Sequence, residues 1–316
     1  MKKTGFMYDQ GMLLHDTGSD HPESPERLLA VYGGIRSANF FRLLIPVDAQ
    51  RIDFKWLETV HNPDYIYYFE EICLSGRTYL DSQDNRMCPD TFDATLLASG
   101  GVVNACRMVM EGVIDNAFCA VRPPGHHAGQ NFAMGFCFFN HVAIAARYLQ
   151  KAWGIERVGI VDFDVHHGNG TQRIFEEDPT VFYYSIHQHP TFSFPGTGRE
   201  FEKGTGAGLG FTLNSPVLPG QGDEAYRRHF ERDLCPAFDS FKPQVILVSC
   251  GFDAHEDDDM SDMSVTTDGF SWMIRRICEL ARRHSSGRLI SVLEGGYCIR
   301  RLAELARKHV EILIGC

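Results

Sequence analysis

The run Arg157-Val-Gly-Ile-Val-Asp-Phe-Asp-Val-His-His-Gly-Asn-Gly170 decides how this chain is read, because an apolar stretch ends there in three polar side chains at alternate positions. In an extended strand, residues two apart share a face, so Asp162, Asp164 and His166 point the same way. Two carboxylates and an imidazole on one face suit a divalent cation, and catalytic sites with such donors keep one position open for water or substrate. Gly168 and Gly170 then let the backbone turn sharply and start a helix. Alone, the stretch also fits a buried strand end with a hydrogen-bonded aspartate pair.

Working outward, 316 residues fit a single large α/β unit. The formal charge of −11 argues against direct nucleic acid binding, which needs a basic, phosphate-tracking face. An acidic surface favours cationic substrates, chiefly through encounter rate. Ten cysteines form no C-x-x-C pair, and Cys119, Cys137 and Cys250 lie in apolar runs where a free thiol packs as a small hydrophobe. The first residues carry Lys2 and Lys3 but no long apolar segment, and no run reaches membrane-spanning length. These features predict a soluble, cytoplasmic protein.

Strands are expected over 4–8, 116–121, 157–163, 181–186, 245–249 and 289–293. Between them, helices are expected over 25–38, 63–75, 91–111, 139–153, 223–241, 268–283 and 299–314. Ser24-Pro25 and Asn62-Pro63 open the first two helices, and Gly154 stops the fourth. The polar segment 77–90 reads as a rim loop. Within the loop 190–210, the run Gly204-Thr-Gly-Ala-Gly-Leu-Gly210 lacks the dinucleotide-binding register and reads as a turn-rich connection. Alternating strands and helices predict one α/β domain over 1–316, three-layered, with a mainly parallel sheet.

In such sheets ligands bind beyond the carboxyl ends of the strands. Four strand ends carry chemistry there: Arg122-Pro-Pro-Gly-His-His127, the Asp/His cluster, Cys250-Gly-Phe-Asp253 and Glu294-Gly-Gly-Tyr297. Asp164, His166 and Asp253 supply two oxygens and a nitrogen to one metal. His126 and His127 can flank an attacking water as base and acid, and the Tyr297 hydroxyl can donate to an oxyanion. This is equipment for hydrolysing an amide.

These residues resemble the histone deacetylase and acetylpolyamine amidohydrolase superfamily, in its class II-like branch, whose fold is the arginase/deacetylase type. The resemblance rests on Arg122-Pro-Pro-Gly-His-His-Ala128, Asp162-Phe-Asp-Val-His-His-Gly-Asn-Gly-Thr-Gln172, Ser185-Ile-His187, Gly251-Phe-Asp-Ala254, Glu294-Gly-Gly-Tyr297 and His21-Pro-Glu-Ser-Pro-Glu-Arg27. It implies zinc on Asp164, His166 and Asp253, ferrous iron being the other ion that set can hold. It also implies a tandem pair His126–His127 backed by Asp162 and Asn169, with Tyr297 polarising the acyl carbonyl. A neutral partner at Asn169 leaves His127 easier to deprotonate and favours it as the base. Gly135, Phe136 and Phe194 are implied as tunnel walls, with Met260 at the mouth. A structural potassium ion is implied on Asp162, Ser185 and the carbonyls of Asp164, His166 and Ile186, with a second near Phe175 and Val181.

The expected substrate is an acylated lysine in a protein or peptide, cleaved by water. An acetylpolyamine or other small acylated amine is the alternative. Met260 where polyamine-specific members carry an acid, and the shortness of 77–90, favour the peptide. A binuclear manganese ureohydrolase lacks its extra acids here, since Gly168 and Ala254 stand where they are needed. A non-catalytic acyl-lysine-binding module is disfavoured because no ligand, histidine or tyrosine is missing. His187, His189 and His255 have no assigned role, and 256–259 reads as a solvated acidic rim.

Overall fold

The computed structural model describes residues 2–316. Runs rich in β-branched and aromatic residues form β1 (Thr4–Met7), β2 (Ile45–Val47), β3 (Asn116–Cys119), β4 (Val158–Asp162), β5 (Val181–Gln188), β6 (Thr212–Val217), β7 (Val245–Cys250) and β8 (Leu289–Leu293). They make one sheet in the order β2-β1-β3-β8-β7-β4-β5-β6. Every pairing is parallel. Strands β3, β4, β7 and β8 are buried along their whole length, which is why they read as continuous apolar runs.

The helices are α1 (Pro25–Arg36), α2 (Phe54–Leu57), α3 (Pro63–Leu74), α4 (Thr91–Met110), α5 (His141–Trp153), α6 (Asn169–Phe175), α7 (Asp223–His229), α8 (Cys235–Phe241), α9 (Thr267–His284) and α10 (Ile299–Gly315). They pack as two groups. In one, α1 lies on α10, α10 on α9, and α9 on α7 and α8; in the other, α4 lies on α3 and α5, and α5 on α2 and α6. The result is a sheet covered on both faces, the predicted three-layer α/β/α architecture. Asn140 starts α5 by accepting the N–H of Ala143 at 3.0 Å, and Gly154 ends it in the left-handed conformation. At α1, Pro25 sets the first turn, while the side chain of Ser24 makes no capping bond.

Strand order explains why four loops scattered along the sequence converge. Strands β3, β8, β7 and β4 are consecutive neighbours at the centre of the sheet, so their carboxyl ends open onto one spot. Three features depart from expectation. Strands β2 and β6 were not anticipated, because each contains a proline and polar or short apolar residues, a composition tolerated only at the sheet edges they occupy. The helix expected over 223–241 is broken by a π-helical turn at Phe230–Leu234. Pro236 follows that turn and has no N–H to continue the regular ladder. Finally, Cys278 and Cys316 form a disulfide, Cα atoms 5.5 Å apart, because α9 and α10 lie side by side. Cysteine spacing gave no sign of this pair. Among the described residues no helix is long and apolar enough to cross a membrane.

Candidate active site

Asp164 and His166 follow β4, and Asp253 follows β7, the neighbouring strand. Their donor atoms form one cluster: His166 Nδ1 lies 3.2 Å from an Asp164 oxygen and 3.2 Å from an Asp253 oxygen. A tetrahedral ion with bonds of about 2.1 Å needs ligands about 3.4 Å apart, so the three side chains fit a zinc-sized divalent ion. Both carboxylates are fully buried. Burial and the Asp164 charge raise the Asp253 carboxyl above its usual range, a repulsion that a cation would relieve. The remaining oxygens are tied down by backbone. Val165 N–H donates to Asp253 at 2.9 Å, and Gly295 N–H donates to Asp164 at 2.7 Å. Gly295 can come this close only because it has no side chain, since a Cβ there would collide with Asp253.

His126 and His127 leave the end of β3 with ring centres 4.0 Å apart. Asp162 Oδ2 lies 3.1 Å from His126 Nδ1, and Tyr183 donates its hydroxyl to that same oxygen at 2.9 Å. His127 Nδ1 donates to Asn169 Oδ1 at 2.7 Å, which leaves its Nε2 as the acceptor. Burial works against charge on both rings, with opposite outcomes. At His126 the carboxylates of Asp164, Asp162 and Glu294 outweigh it and hold the pKa up at about 10. At His127 the charges of His126 and His166 add to it, and the ring stays neutral well below the ordinary histidine range.

Tyr297 ends the loop after β8. Burial keeps its hydroxyl protonated far above neutral pH, so it is a donor. Arg27 supports the loop from beneath: its guanidinium lies 4.7 Å from the centre of the tyrosine ring and donates to the carbonyls of Gly296 and Glu294, each at 2.6 Å. Arg27 and Arg122 share the buried carboxylate of Glu23. His126, His127, His166 and Tyr297 open into one cavity of about 230 Å³, whose walls include Gly135, Phe136, Phe194 and Met260. Of the residues the sequence singled out, His126, His127, His166, Tyr297, Gly135, Phe136, Phe194 and Met260 line this cavity, while Asp164 and Asp253 lie behind it against His166.

Residues 21–313 match the histone deacetylase domain. The chain belongs to the histone deacetylase family. It is 39% identical to a probable deacetylase of Archaeoglobus fulgidus, across 93% of this chain and 81% of that protein. It is 35% identical to a histone deacetylase-like amidohydrolase of Pseudomonas aeruginosa, across 99% and 87% respectively. Against histone deacetylase 5 of Arabidopsis thaliana it is 36% identical over 99% of its length, but it spans only 49% of that longer protein. A crystal structure of the HDA15 HD domain superposes with a TM-score of 0.94 at 35% identity, covering 99% of this chain and 88% of that one. The family and the fold are shared with these proteins, and the chain is a hydrolase of the histone deacetylase family.

Some residues at this histone deacetylase-type site gave little sign in the sequence. Asp258 was read as part of a solvated rim, yet it is 5% exposed and accepts the N–H groups of Tyr297 and Cys298 at 2.6 and 2.8 Å. Glu294 accepts the N–H groups of Gly125 and His126 and the hydroxyl of Ser249, which fixes the backbone of the histidine pair. One of its oxygens also clusters with a ring nitrogen of His126 and the Sγ of Cys137, but three donors already occupy the carboxylate. Asp84, from the rim loop, lines the cavity mouth. His187 is buried and structural, held between Ser185 Oγ at 2.7 Å and the Gly198 carbonyl at 2.8 Å, while His255 is bonded to Thr267. Ser185 is the register partner of Asp162 on β5, and Phe175 and Val181 lie at the end of α6 and the start of β5, outside the cavity.

Proposed function

We propose that the protein removes acetyl or related acyl groups from the side-chain amine of acyl-lysine, with Asp164, His166 and Asp253 holding one zinc ion. The observation that carries this reading is the meeting of three metal donors, a neutral histidine and a protonated tyrosine at one narrow apolar cavity. The bound ion supplies Lewis acidity toward the amide carbonyl and the attacking water. Phe136 and Phe194 flank the aliphatic part of the lysine, and Met260 stands where the peptide backbone remains outside. His127 Nε2 takes a proton from water as its oxygen attacks the acyl carbon. Tyr297 donates its hydroxyl to the carbonyl oxygen as negative charge grows there, and charged His126 adds a field of the right sign. The C–N bond then breaks, and the amine leaves with a proton returned from the histidine pair.

Asp162 and Ser185, paired across β4 and β5 and both buried, fit the side-chain part of the potassium site proposed with the carbonyls of Asp164, His166 and Ile186. A second substrate reading, an acetylated polyamine, draws on Asp84, an acid at the mouth able to face a second ammonium group. The test is kcat/KM on zinc-loaded protein with an acetyl-lysine peptide and with an acetylated polyamine. Preference for the peptide, abolished by a chelator and restored by metal, is expected; preference for the polyamine moves the assignment to the second reading. Tyr297→Phe should retain metal and fold while kcat falls about a hundredfold. Full activity in that variant removes the mechanism.

A further inference from the structure

Phe136 stands in an unusual turn. Met134 and Cys137 exchange N–H···O bonds of 3.1 and 2.9 Å around a two-residue hairpin, and both central residues have positive φ, 55° at Gly135 and 69° at Phe136. Such a turn ordinarily takes glycine or asparagine at its second central position. Here an aromatic residue occupies it and carries its ring into the cavity. The N–H of Phe136 has no partner within the turn; it donates to Asn85 Oδ1 at 2.9 Å.

Asn85 is fully buried although it lies in the rim loop. Its amide donates to the Leu80 carbonyl at 3.1 Å, and its own carbonyl accepts the Leu80 N–H at 3.1 Å, closing the loop on itself. Asp81 makes a parallel tie, accepting the Ala133 N–H at 2.7 Å. His21 packs edge-on against the Phe136 ring at 4.6 Å and bonds the Asp84 carbonyl at 3.0 Å. One asparagine side chain therefore joins the rim loop, with Asp84 at the cavity mouth, to the turn that carries the cavity wall.

We propose that Asn85 is a positioning residue for substrate binding, holding the Phe136 ring in place as a tunnel wall through the N–H it accepts. This rests on the tunnel reading given above. A residue that acts through Phe136 has nothing to act on once that ring is gone. A residue needed only for loop stability costs the same whether the ring is present or not.

The experiment is a double-mutant cycle with Asn85→Ala, Phe136→Ala and the pair. It reads KM and kcat for an acetyl-lysine peptide, the Kd of the same peptide by fluorescence anisotropy, and thermal midpoints. Asn85→Ala should raise KM and Kd about tenfold, with kcat within about twofold of wild type. In the Phe136→Ala background it should add less than about twofold. Additive losses in an active enzyme, or a fall confined to kcat, overturn the inference while leaving the proposed function standing. Neither turnover nor binding in wild type removes both. If Asn85→Ala does not fold, Asn85→Asp takes its place in the cycle, since it keeps the accepting oxygen; KM within about threefold of wild type is expected, and a tenfold rise overturns the inference.

Discussion

His126 and His127 are adjacent in sequence and nearly touching in space, yet they hold their protons oppositely: the carboxylates of Asp164, Asp162 and Glu294 keep His126 charged, burial and the charges of His126 and His166 keep His127 neutral, and the hydrogen-bond partners differ by one atom. Asp162 presents a charged oxygen to His126, whereas Asn169 presents a neutral one to His127. Changing that atom should change the chemistry. With Asn169→Asp, a carboxylate beside His127 stabilises its imidazolium, so its pKa rises and more of the enzyme is protonated, and inactive as a base, at a given acidic pH. The acidic limb of the kcat/KM profile should move to higher pH by about one unit or more, with little loss on the alkaline plateau. An unmoved limb would show that His127 is not the group whose deprotonation is required.

At the scale of elements, the loop from Glu294 to Cys298 is held by what surrounds it. Arg27 supports it below, and Asp258 receives two of its N–H groups. Asp258→Ala leaves those donors without a partner and should lower unfolding stability by about 2 kcal/mol, while Asp258→Asn, which keeps one accepting oxygen, should lose less. Chemical denaturation midpoints decide it; equal losses would mean that shape, not hydrogen bonding, sets the value. The same loop shows what sequence could and could not reveal. Tyr297 was legible because it follows an apolar strand and two glycines. Asp258 was not, because a carboxylate that serves backbone N–H groups leaves no spacing pattern, and within Glu256-Asp-Asp-Asp259 it looks like its solvated neighbours. Asn85 was hidden for the same reason. Strands β3, β4, β7 and β8 were legible as continuous apolar runs, while edge strands β2, only three residues long, and β6, rich in polar residues, both proline-bearing, lacked both the run and the alternation.

Across the whole molecule, a fully buried pH-linked support outside the metal cluster sits at Glu23, which connects the chain's first segment to the loop after β3. Burial alone would raise its pKa, but the charge of Arg122 and the nearby His15 and Arg27 bring it down to about 2 from 4.5. A depressed carboxylate contributes its stability in full above the unfolded value and loses it as pH falls from about 4.5 toward 2. That contribution is on the order of 3 kcal/mol at neutral pH. Glu23→Gln should therefore be less stable at pH 7 yet show a shallower fall in urea midpoint between pH 5 and about 3. Parallel falls in the two proteins would place the acid sensitivity elsewhere.

Strand β8 comes last in the chain and stands between β3 and β7. Before it arrives, the sheet is two separate pieces, β2-β1-β3 and β7-β4-β5-β6, each ending in an unpaired edge. His126 and His127 follow the first piece, and Asp164, His166 and Asp253, the proposed metal donors, follow strands of the second. On the ribosome, then, the nascent chain carries both halves of the reactive centre apart, with two sticky edges facing each other, until residues 289–293 emerge and join them. Residues 289–293 have to be made before this chain can work at all, and the wait exposes it to misassembly.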